Sequence, residues 1–558
     1  MAGIDDSKLL LQCAYRFEKE QADAIYMTQP LGGDKVDQFS WARTLDEARR
    51  MAGHIKSMDL PPASQIAILS KNCAHFIMSD LAIWMAGHVS VAIYPTLNAE
   101  TVRYILEHSE SKLLFVGKLD IWDEVKAGVP EGLPCISYPL SPPNDFPTWD
   151  KIVAKTAPIE GSPVRGAKEM ALIVYTSGST GKPKGVMHNF GAISEASHGI
   201  ANKLGVSKED RMLSYLPLAH VFERWIVESV SLVTGFQVFF AESLDTFVGD
   251  LKRARPTLFV SVPRLWLKFQ MGVFKKMPPK KLSLLLKIPI LSGIIKKKIL
   301  GNLGLDQVRF AGSGSAPIPA ELIQWYQDLG LELLEGYGMS ENFSYSHVSL
   351  PGKSLPGYVG NTYPGVECRI SEAGEILVKS PASMMGYFKM PEATAESFTE
   401  DGFLKTGDRG TVDAQGRLKI TGRVKELFKT SKGKYVAPAP IENILNNDSY
   451  VEQSCVSGSG HPMAHAVVQL GEDVVSRLSE AGVKEEVEAA LVALLKHVNE
   501  AVEEYEQLQF IAVAKDAWTI ESGFLTPTMK IRRPVLEDTY GPKMDGWYAS
   551  NKKVIWEA

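Results

Sequence analysis

The first half of the chain alternates short apolar runs with longer amphipathic stretches. Apolar runs of strand length lie at residues 64–69, 89–94 and 113–116, and a stretch long enough for a helix separates each run from the next. The same alternation returns around residues 258–262 and 307–312. Because strands that alternate with helices build α/β layers, the pattern predicts stacked layers with largely parallel sheets.

The pattern changes near residue 365. From there to about residue 421, helical periodicity gives way to strands punctuated by glycine, which predicts a β-rich part. Residues 435–558 carry a fresh set of helices and strands, enough for a separate, smaller α+β unit. The predicted fold class is therefore α/β, with a large N-terminal domain of stacked layers and a small C-terminal domain.

Composition and charge narrow the classes of function. The 558 residues are 45% hydrophobic and 22% charged, which is typical of globular proteins. A formal charge of −5 at pH 7 argues against nucleic acid as a partner. The five cysteines are scattered singly, so neither a disulfide framework nor a zinc cluster is expected.

The sequence carries no sign of secretion or of a membrane span. Asp5 and Asp6 stand where a signal peptide has positive charge, and the apolar run at residues 9–11 is too short for one. The uncharged stretch at residues 81–98 contains Gly87, His88 and Pro95, which favours a buried helix running into a strand. We expect a cytoplasmic protein.

One segment is unusually basic. Residues 268–298 contain nine lysines and no acidic residue, interleaved with leucine and isoleucine. This pattern is compatible with peripheral contact between residues 275–300 and an anionic membrane, and equally with a solvated helix face beside a core-facing one. Pro278, Pro279, Pro289 and Gly293 are expected to divide the segment into short pieces.

The strongest chemical signal is a loop at residues 175–185, with the sequence YTSGSTGKPKG. It follows an apolar strand at residues 171–174 and combines glycines, hydroxyls and lysines, which together hold phosphate oxygens. It is not a Walker A loop, because Gly178 and Gly181 enclose two residues rather than four and Pro183 replaces the magnesium-binding hydroxyl. A phosphate-holding loop of another kind is predicted.

Further motifs follow in order along the chain. They are LPLAH at 216–220, GSGSAP at 312–317, EGYGMSE at 335–341, TGD at 406–408, GRVKE at 422–426 and TPTMK at 526–530. With the loop at 175–185 they resemble the adenylate-forming superfamily of acyl-CoA synthetases, peptide-synthetase adenylation domains and firefly-type luciferases. The resemblance spans most of the chain. It implies a large adenylation domain, residues 1–424, and a small mobile lid domain, residues 425–558, with a hinge at Lys425.

The resemblance also implies a nucleotide site. A tyrosine between two glycines is suited to stack on adenine, and the carboxylate that ends the same motif is suited to a metal. In the family, Tyr337 and Glu341 have these roles, Asp408 and Arg423 contact ribose, and Thr176 joins Glu341 at Mg²⁺. The full nucleotide-binding set implied is Thr176, Ser177, Gly178, Ser179, Thr180, Gly181, Lys184, Ser315, Ala316, Glu335, Gly336, Tyr337, Gly338, Ser340, Asp408, Arg423 and Lys530.

Lys530 is the strongest candidate for catalysis. A lysine delivered between an α-phosphate and a carboxylate neutralises charge as the two meet, and the family's lid lysine has that role. Taken alone, a lysine beside Arg532 and Arg533 would belong to a solvated basic face. Its place after TPT and near the end of the chain favours the catalytic interpretation. The implied catalytic set is Lys530, His220, Thr176 and Glu341.

Two positions depart from the family pattern. The resemblance places His220 at the wall of the acyl site, but the tryptophan gate four residues later in some long-chain members is replaced by Arg224, with Trp225 one position on. On the coenzyme A side, the resemblance points to Gly433, and the turn at residues 430–433 is one residue longer than in luciferases. Either Lys429 or Lys432 is therefore a candidate for the second half-reaction.

These parts predict a two-step, AMP-forming ligase. A carboxylic acid would react with Mg-ATP to give an acyl-adenylate, and the acyl group would then pass to the thiol of coenzyme A. Residues 214–224, 262–265 and 525–530 most resemble long-chain fatty acyl-CoA synthetases. The alternatives are a carrier protein as acceptor, an aromatic or medium-chain acid as substrate, and a regulatory protein that binds ATP without turnover.

Overall fold

The computed structural model describes residues 4–176, 182–526 and 529–557. Its β-strands are β1 (Ile25–Pro30), β2 (Val36–Ser40), β3 (Gln65–Leu69), β4 (Val89–Ile93), β5 (Leu113–Val116), β6 (Cys135–Ser137), β7 (Met170–Thr176), β8 (Lys184–Asn189), β9 (Arg211–Ser214), β10 (Gln237–Phe240), β11 (Leu258–Ser261), β12 (Phe310–Ser313), β13 (Leu333–Tyr337), β14 (His347–Val348), β15 (Asn361–Thr362), β16 (Glu367–Ile370), β17 (Glu375–Lys379), β18 (Gly386–Tyr387), β19 (Leu404–Val412), β20 (Leu418–Arg423), β21 (Phe428–Lys429), β22 (Tyr435–Val436), β23 (Val451–Ser457), β24 (Ala464–Leu470), β25 (Leu508–Val513) and β26 (Val554–Trp556).

The α-helices are α1 (Leu10–Glu20), α2 (Trp41–Ser57), α3 (Ala74–Met85), α4 (Ala99–His108), α5 (Trp122–Val125), α6 (Trp149–Val153), α7 (Phe190–Leu204), α8 (Val221–Glu223), α9 (Val230–Thr234), α10 (Phe247–Ala254), α11 (Pro263–Lys276), α12 (Pro279–Leu286), α13 (Pro289–Leu303), α14 (Ala320–Asp328), α15 (Pro391–Glu396), α16 (Pro438–Leu445), α17 (Glu472–Val475), α18 (Val483–Ala501), α19 (Arg533–Tyr540) and α20 (Met544–Ala549). A π-helical turn, Arg224–Ser229, lies between α8 and α9. Short 3-10 turns lie at Asp6–Lys8, Lys126–Gly128, Ser340–Asn342, Val424–Glu426, Glu504–Glu506 and Gly541–Lys543.

The predicted fold class is confirmed, and the main sheet is the seven-stranded layer β18-β8-β7-β4-β3-β5-β6. Strands β7, β4, β3, β5 and β6 run parallel; at one edge, β8 pairs antiparallel with β7, and β18 pairs antiparallel with β8. Helix α3 is buried along its whole length, because its sequence is apolar on nearly every face. The uncharged stretch at 81–98 is indeed a buried helix that runs into a strand.

A second sheet, β11-β12-β13-β14-β15, is followed by loops that carry several of the predicted site residues. Strands β11, β12 and β13 are parallel, so the loops that follow their carboxyl ends meet at one edge. The loop after β12 carries residues 314–317, and the 3-10 turn after β13 carries Glu341. Strand β12 begins three residues later than the apolar run at 307–312 suggests.

The predicted β-rich part is a four-stranded antiparallel sheet, β16-β17-β19-β20. In its last pairing, Asp408 of β19 lies directly opposite Arg423 of β20. The 3-10 turn Val424–Glu426 follows at once and carries exposed Lys425.

The C-terminal residues build a separate sheet, β23-β24-β25-β26, covered by α16 and α18 around their own apolar cluster. The Lys530 turn lies between two bridged residues, Leu525 and Ile531, and precedes α19. The division of the chain at residue 424 stays a prediction.

The basic segment forms three helices, α11, α12 and α13. Breaks fall at Pro278 and near Pro289, as expected, but Gly293 lies inside α13 and does not interrupt it. Here the prediction from glycine is wrong, since a single glycine only weakens a helix. Among the helices described, none has the length and apolarity needed to cross a bilayer.

Candidate active site

A large cleft of about 2590 Å³ collects the sequence motifs. It runs between the β13 edge, the β-rich sheet and the C-terminal residues. This volume exceeds that of a typical single-ligand pocket, which suits a site for several substrate groups. The predicted site residues that line it are Thr176, Lys184, His220, Ser315, Ala316, Glu335, Gly336, Tyr337, Gly338, Ser340, Glu341, Asp408, Arg423, Lys425 and Lys530. The predictions for Ser177, Gly178, Ser179, Thr180 and Gly181 fall outside the described residues.

Asp408 is held in the cleft by hydrogen bonds with three other residues. The Tyr337 hydroxyl donates to its Oδ2 at 2.7 Å, and Nε of Arg423 donates to its Oδ1 at 2.9 Å. Its backbone N–H donates to the Thr406 hydroxyl, which is itself tied to the Ile376 carbonyl. The carboxylate is thereby fixed in orientation, with lone pairs left for a ligand diol.

The glycine motif around Tyr337 has a steric reason. A Cβ on Gly338 would lie 2.3 Å from the carbonyl oxygen of Ser344, so no other residue fits there without moving the backbone. The facing loop after β12 bends at Ser315, whose φ of 68° is in the left-handed region. Tyr337 and the exposed Ala316 line the same cleft, so the two loops form the walls of a slot.

Glu335 is a buried acid at the inner end of this slot. Only 4% of the residue is exposed, and its Oε2 has no hydrogen-bond partner within the described part of the chain. Burial raises the pKa of Glu335 to about 8, although backbone hydrogen bonds from Gly357 and Ile318 act in the opposite direction. Glu335 also belongs to the lining of the cleft.

Glu341 lies beside the phosphate-loop strands. Its Oε1 accepts from the Tyr387 hydroxyl at 2.8 Å, and Lys184 Nζ lies 4.8 Å from the centre of the Tyr387 ring. Thr176 ends β7 opposite Lys184, so hydroxyl, carboxylate and ammonium groups share one corner of the cleft. Tyr387 carries no motif in the sequence, and only β18 pairing with β8 brings it here.

The corner around Glu341 and Thr176 suits a divalent cation that binds together with a nucleotide. Within residues 4–176, 182–526 and 529–557, no group of three or more His, Cys, Asp or Glu side chains is arranged to hold a metal. Mg²⁺ is commonly held by one or two carboxylates together with water and substrate phosphates. Glu341 and the Thr176 hydroxyl match that pattern for a cation that arrives with a nucleotide.

His220 caps the start of α8 and is a half-buried, neutral ring. Its Nδ1 accepts the Phe222 N–H at 3.1 Å, so the proton of the neutral ring is on Nε2. Burial lowers the pKa of His220 to about 4, and the nearby Lys530 ammonium adds to this. The ring is therefore uncharged at neutral pH and lines the cleft as a hydrogen-bonding group.

Two residues without a motif of their own hold the His220 loop. Glu223 accepts from the Ser214 hydroxyl and the Tyr215 N–H, each at 2.9 Å, and burial raises its pKa to about 8. Asn72 reaches the same loop by donating to the Leu216 carbonyl at 2.6 Å and accepting from the Leu218 N–H at 3.0 Å. Asn72 is more than 140 positions away in sequence, so local patterns carry no sign of it.

The π-helical turn resolves the departure at residues 224 and 225. Arg224 is fully buried with Asp80, and Nε of Arg224 lies 3.6 Å from Glu228. Trp225, rather than Arg224, lines the cleft, with its ring packed edge-on against Tyr345 and Tyr363 at centroid distances of 6.0 and 5.7 Å. A π-turn accommodates one extra residue, which fits the tryptophan standing one position late.

Lys530 reaches the cleft from the C-terminal residues. Although it is exposed to the solvent in the cleft, the surrounding walls displace enough water to lower its pKa. The Arg423 guanidinium lowers the pKa further, while Asp408, Glu426 and Glu341 act in the opposite direction. The structure therefore brings Lys530 together with both His220 and the acidic groups of the larger region.

The three residues predicted for the coenzyme A side lie elsewhere. Lys429 and Gly433 belong to the β21–β22 hairpin region, and Lys432 is exposed on the turn between the strands. Of the residues described, the cleft lining includes Lys425 but not Lys429, Lys432 or Gly433. Their role stays a prediction.

Two family models match parts of the chain. Residues 15–388 match the family model described as AMP-binding enzyme, and residues 426–552 match the AMP-binding enzyme C-terminal domain. The chain is 28% identical to the long-chain-fatty-acid–CoA ligase FadD15 of Mycobacterium tuberculosis, with 96% of each chain covered. It is 29% identical to human long-chain-fatty-acid–CoA ligase 1, over 94% of this chain and 84% of the relative.

Solved structures share the fold. The adenylation domain of a carboxylate reductase from Mycobacterium chelonae superposes with a TM-score of 0.80 at 21% identity, covering 98% of this chain and 94% of that one. The anthranilate CoA ligase AuaEII, in complex with anthranoyl-AMP, superposes with a TM-score of 0.78 at 19% identity, covering 97% of this chain and 100% of that one.

Proposed function

The chain belongs to the AMP-binding enzyme family, and from that premise we propose that it is an AMP-forming ligase for a long-chain fatty acid and coenzyme A. It activates the acid with Mg-ATP to an acyl-adenylate and transfers the acyl group to the coenzyme A thiol. The observation that carries the proposal is the meeting of Lys530 with Asp408, Tyr337, Glu341 and His220 in one cleft.

In the first step, the large region holds ATP. Asp408, oriented by Tyr337 and Arg423, accepts the ribose hydroxyls, and the adenine ring lies in the slot between Tyr337 and the loop at Ala316. The free oxygen of Glu335 accepts from the adenine amino group. The Thr176 and Lys184 corner holds phosphate oxygens together with the loop at 177–181.

Magnesium, when bound with ATP, would be held by Glu341 and the Thr176 hydroxyl and would supply neutralising charge to the phosphates. The residues of the chain do the rest. Lys530 donates to the oxygens of the α-phosphate and of the attacking carboxylate, so that two anions can approach each other. Neutral His220 lines the place of the carboxylate and adds no competing charge.

The apolar end of the cleft supports a fatty acid as substrate. Beyond His220 the lining includes Phe222, Trp225, Ile226, Val230 and Tyr363. Such a surface gains about 25 cal/mol for each Å² of apolar area that it removes from water, so it favours long alkyl chains over short ones. The named relatives, which are long-chain-fatty-acid–CoA ligases, agree with this assignment.

For the second step we propose rotation of the lid about Lys425. Rotation withdraws Lys530 and brings the β21–β22 hairpin, with Gly433 and either Lys429 or Lys432, to the cleft. The hairpin then borders the path by which the thiol of coenzyme A enters. Since that thiol is the nucleophile, no cysteine of the chain is required.

The proposal is tested by pyrophosphate release from Mg-ATP over acids from acetate to oleate and benzoate, with and without coenzyme A. We expect a maximum at about twelve to eighteen carbons and turnover that depends on coenzyme A, since each buried methylene adds about 0.8 kcal/mol. A maximum at benzoate or at a medium-chain acid would assign another substrate. Formation of acyl-adenylate without thioester would favour a carrier protein as acceptor.

We also propose that the α12–α13 helical pair contacts anionic membrane. Both readings of the segment have support, because Leu282 and Ile299 are buried while Leu284, Ile288, Ile290 and Ile294 are 66%, 46%, 85% and 60% exposed. Exposed Lys280, Lys281 and Lys287 surround this apolar surface. The preceding helix, α11, lines the cleft with Leu267 and Met271, so the exposed surface directly follows a wall of the proposed acyl site along the chain.

Sedimentation with vesicles that contain phosphatidylserine tests this contact. Replacing Lys280, Lys281 and Lys287 by Gln is expected to weaken binding about 100-fold at low salt, at about 1 kcal/mol for each lysine. The matched control replaces the exposed Lys151, Lys155 and Lys168, which changes the net charge equally. Equal binding by both triple variants would rule out this surface.

A further inference from the structure

The turn that carries Lys530 is held from the large region through a short chain of contacts. Arg264 lies at the start of α11 and lines the cleft. Its Nη1 donates to the backbone carbonyl of Glu452 in β23 at 2.7 Å, and its Nη2 pairs with the Glu452 carboxylate. Arg264 thus contacts both the backbone and the side chain of the lid residue Glu452.

The next lid residue, Gln453, connects this contact to the Lys530 turn. Nε2 of Gln453 donates to the carbonyl of Met529 at 3.2 Å. Met529 has a φ of 60°, a left-handed conformation that a side chain such as methionine rarely adopts without support. A hydrogen bond to its carbonyl therefore stabilises the geometry that aims the following residue.

The turn itself contributes local hydrogen bonds. The Met529 N–H donates to the Thr526 carbonyl at 2.8 Å, and the Lys530 N–H donates to the Thr526 hydroxyl at 3.1 Å. These bonds shape the turn but lie wholly within the lid. The direction of Lys530 relative to His220 and Asp408 depends on contacts that cross between the regions.

We propose that Arg264 is a positioning residue for adenylation, acting on Lys530 through Glu452, Gln453 and Met529. The proposal rests on the function proposed above. It also limits the role of Arg264 to one half-reaction, because the lid rotation proposed above would break the contact to Glu452 as it withdraws Lys530.

The two half-reactions measured separately test this role. R264M is expected to slow acyl-adenylate formation about 10- to 100-fold, as a small misplacement of a catalytic group does. Conversion of supplied acyl-adenylate to acyl-CoA is expected to stay within about twofold of the unaltered chain. A general folding defect would slow both half-reactions equally and would overturn the proposal, as would adenylation that is unchanged.

A matched control separates positioning from simple tethering of the lid. Lys275, also on α11, pairs with lid residue Asp473 at 3.3 Å, and both side chains are largely exposed. D473N removes this second link, which joins α11 to the lid helix α17 rather than to β23, without touching the path to Met529. Adenylation by D473N is expected to be unchanged, since exposed pairs contribute little. Equal losses in D473N and R264M would assign the effect to tethering.

A double-variant cycle tests the path itself. Q453L removes the donor to Met529, so R264M and Q453L interrupt the same chain, and the double variant is expected to be no slower than the slower single variant. Multiplication of the two losses would show that Arg264 acts elsewhere, for instance on a substrate. If the unaltered chain forms no acyl-adenylate from any acid, the proposed function fails; if it does so and the cycle is multiplicative, only the positioning role fails.

Discussion

The two sides of the cleft are built differently. On the large side, Asp408 is fixed by strand register opposite Arg423 and by a direct hydrogen bond from Tyr337. On the lid side, Lys530 is exposed on a tight turn between Leu525 and Ile531. The groups proposed to hold the nucleotide are therefore organised before any ligand arrives, whereas the proposed catalytic charge is supplied by an element whose position depends on a few contacts.

This difference suits an enzyme that carries out two reactions at one site. In the proposed reaction, the large side would keep the adenylate in place through both steps, and the lid side would supply charge in the first step only. A change on one side of the cleft should therefore leave the role of the other side largely unaffected.

Removal of the lid charge is expected to have the largest effect. K530A should lower overall turnover by about three orders of magnitude, because loss of a single group that stabilises developing charge costs about 10²- to 10³-fold or more. Equilibrium binding of ATP should remain within about threefold, since the nucleotide contacts lie on the other side. K552A, an exposed lid lysine outside the cleft, is the control. A large loss of ATP binding in K530A would contradict the division of roles.

The reverse disturbance, D408N, is expected to act on binding. Loss of the carboxylate that pairs with Arg423 should weaken ATP binding about 10- to 100-fold, because hydrogen bonds to charged groups contribute about 1.5–3 kcal/mol. Isothermal titration measures this directly. D413N is matched to it, since Asp413 lies in the same hairpin and pairs with Arg417 at 2.7 Å. Equal weakening in both variants would indicate general damage to the sheet.

Hydrogen exchange sharpens the comparison without any substitution. Amides of β19 and β20 pair within a sheet, so they should exchange at least about 100-fold more slowly than amides of residues 529–531. Adding ATP with a fatty acid should slow exchange in the lid turn more than in the sheet. Similar rates in the two regions before ligand is added would refute the contrast between them.

The smallest effect concerns pH. The folded pKa of Glu335 is raised to about 8 from an ordinary value near 4.5, so between these values the folded state holds a proton that the unfolded state has lost. Stability should therefore fall as the pH rises across this window. E335Q cannot ionise and should flatten part of the fall in Tm between pH 5 and pH 8.5. Glu223, also raised to about 8, keeps some of the slope.

The exposed Glu321 at the start of α14 provides the control for that measurement. E321Q should leave the pH dependence of Tm as it is in the unaltered chain. An identical slope in E335Q and in the unaltered chain would show that Glu335 is not held protonated.

The sequence motifs predicted the residues that line the cleft better than the residues that hold them in position. Residues 335–341, 406–408 and 422–426 carry their own signatures, so their meeting was foreseeable from the resemblance. Tyr387, Asn72 and Gln453 were not, because each works through a partner distant in sequence: Tyr387 is 46 positions from Glu341 and Gln453 is 76 from Met529. A residue that acts by tertiary contact leaves no periodicity and no local motif.

The same limit applies to the fold. Alternating apolar runs identified β3, β4 and β5, whose parallel pairing follows from helix crossovers. They did not reveal the short strand β18, which closes the sheet edge beside β8. The hydrophobic pattern also did not predict the π-helical turn, although the shifted position of Trp225 coincides with it.

The most direct test of a catalytic lysine that serves one step only is single-turnover chemistry with K530A. Supplied with acyl-adenylate and coenzyme A, this variant should form acyl-CoA at a rate within about threefold of the unaltered chain, while its formation of acyl-adenylate from ATP and acid is nearly abolished. Equal loss of both half-reactions, or adenylation that survives the substitution, would contradict the account.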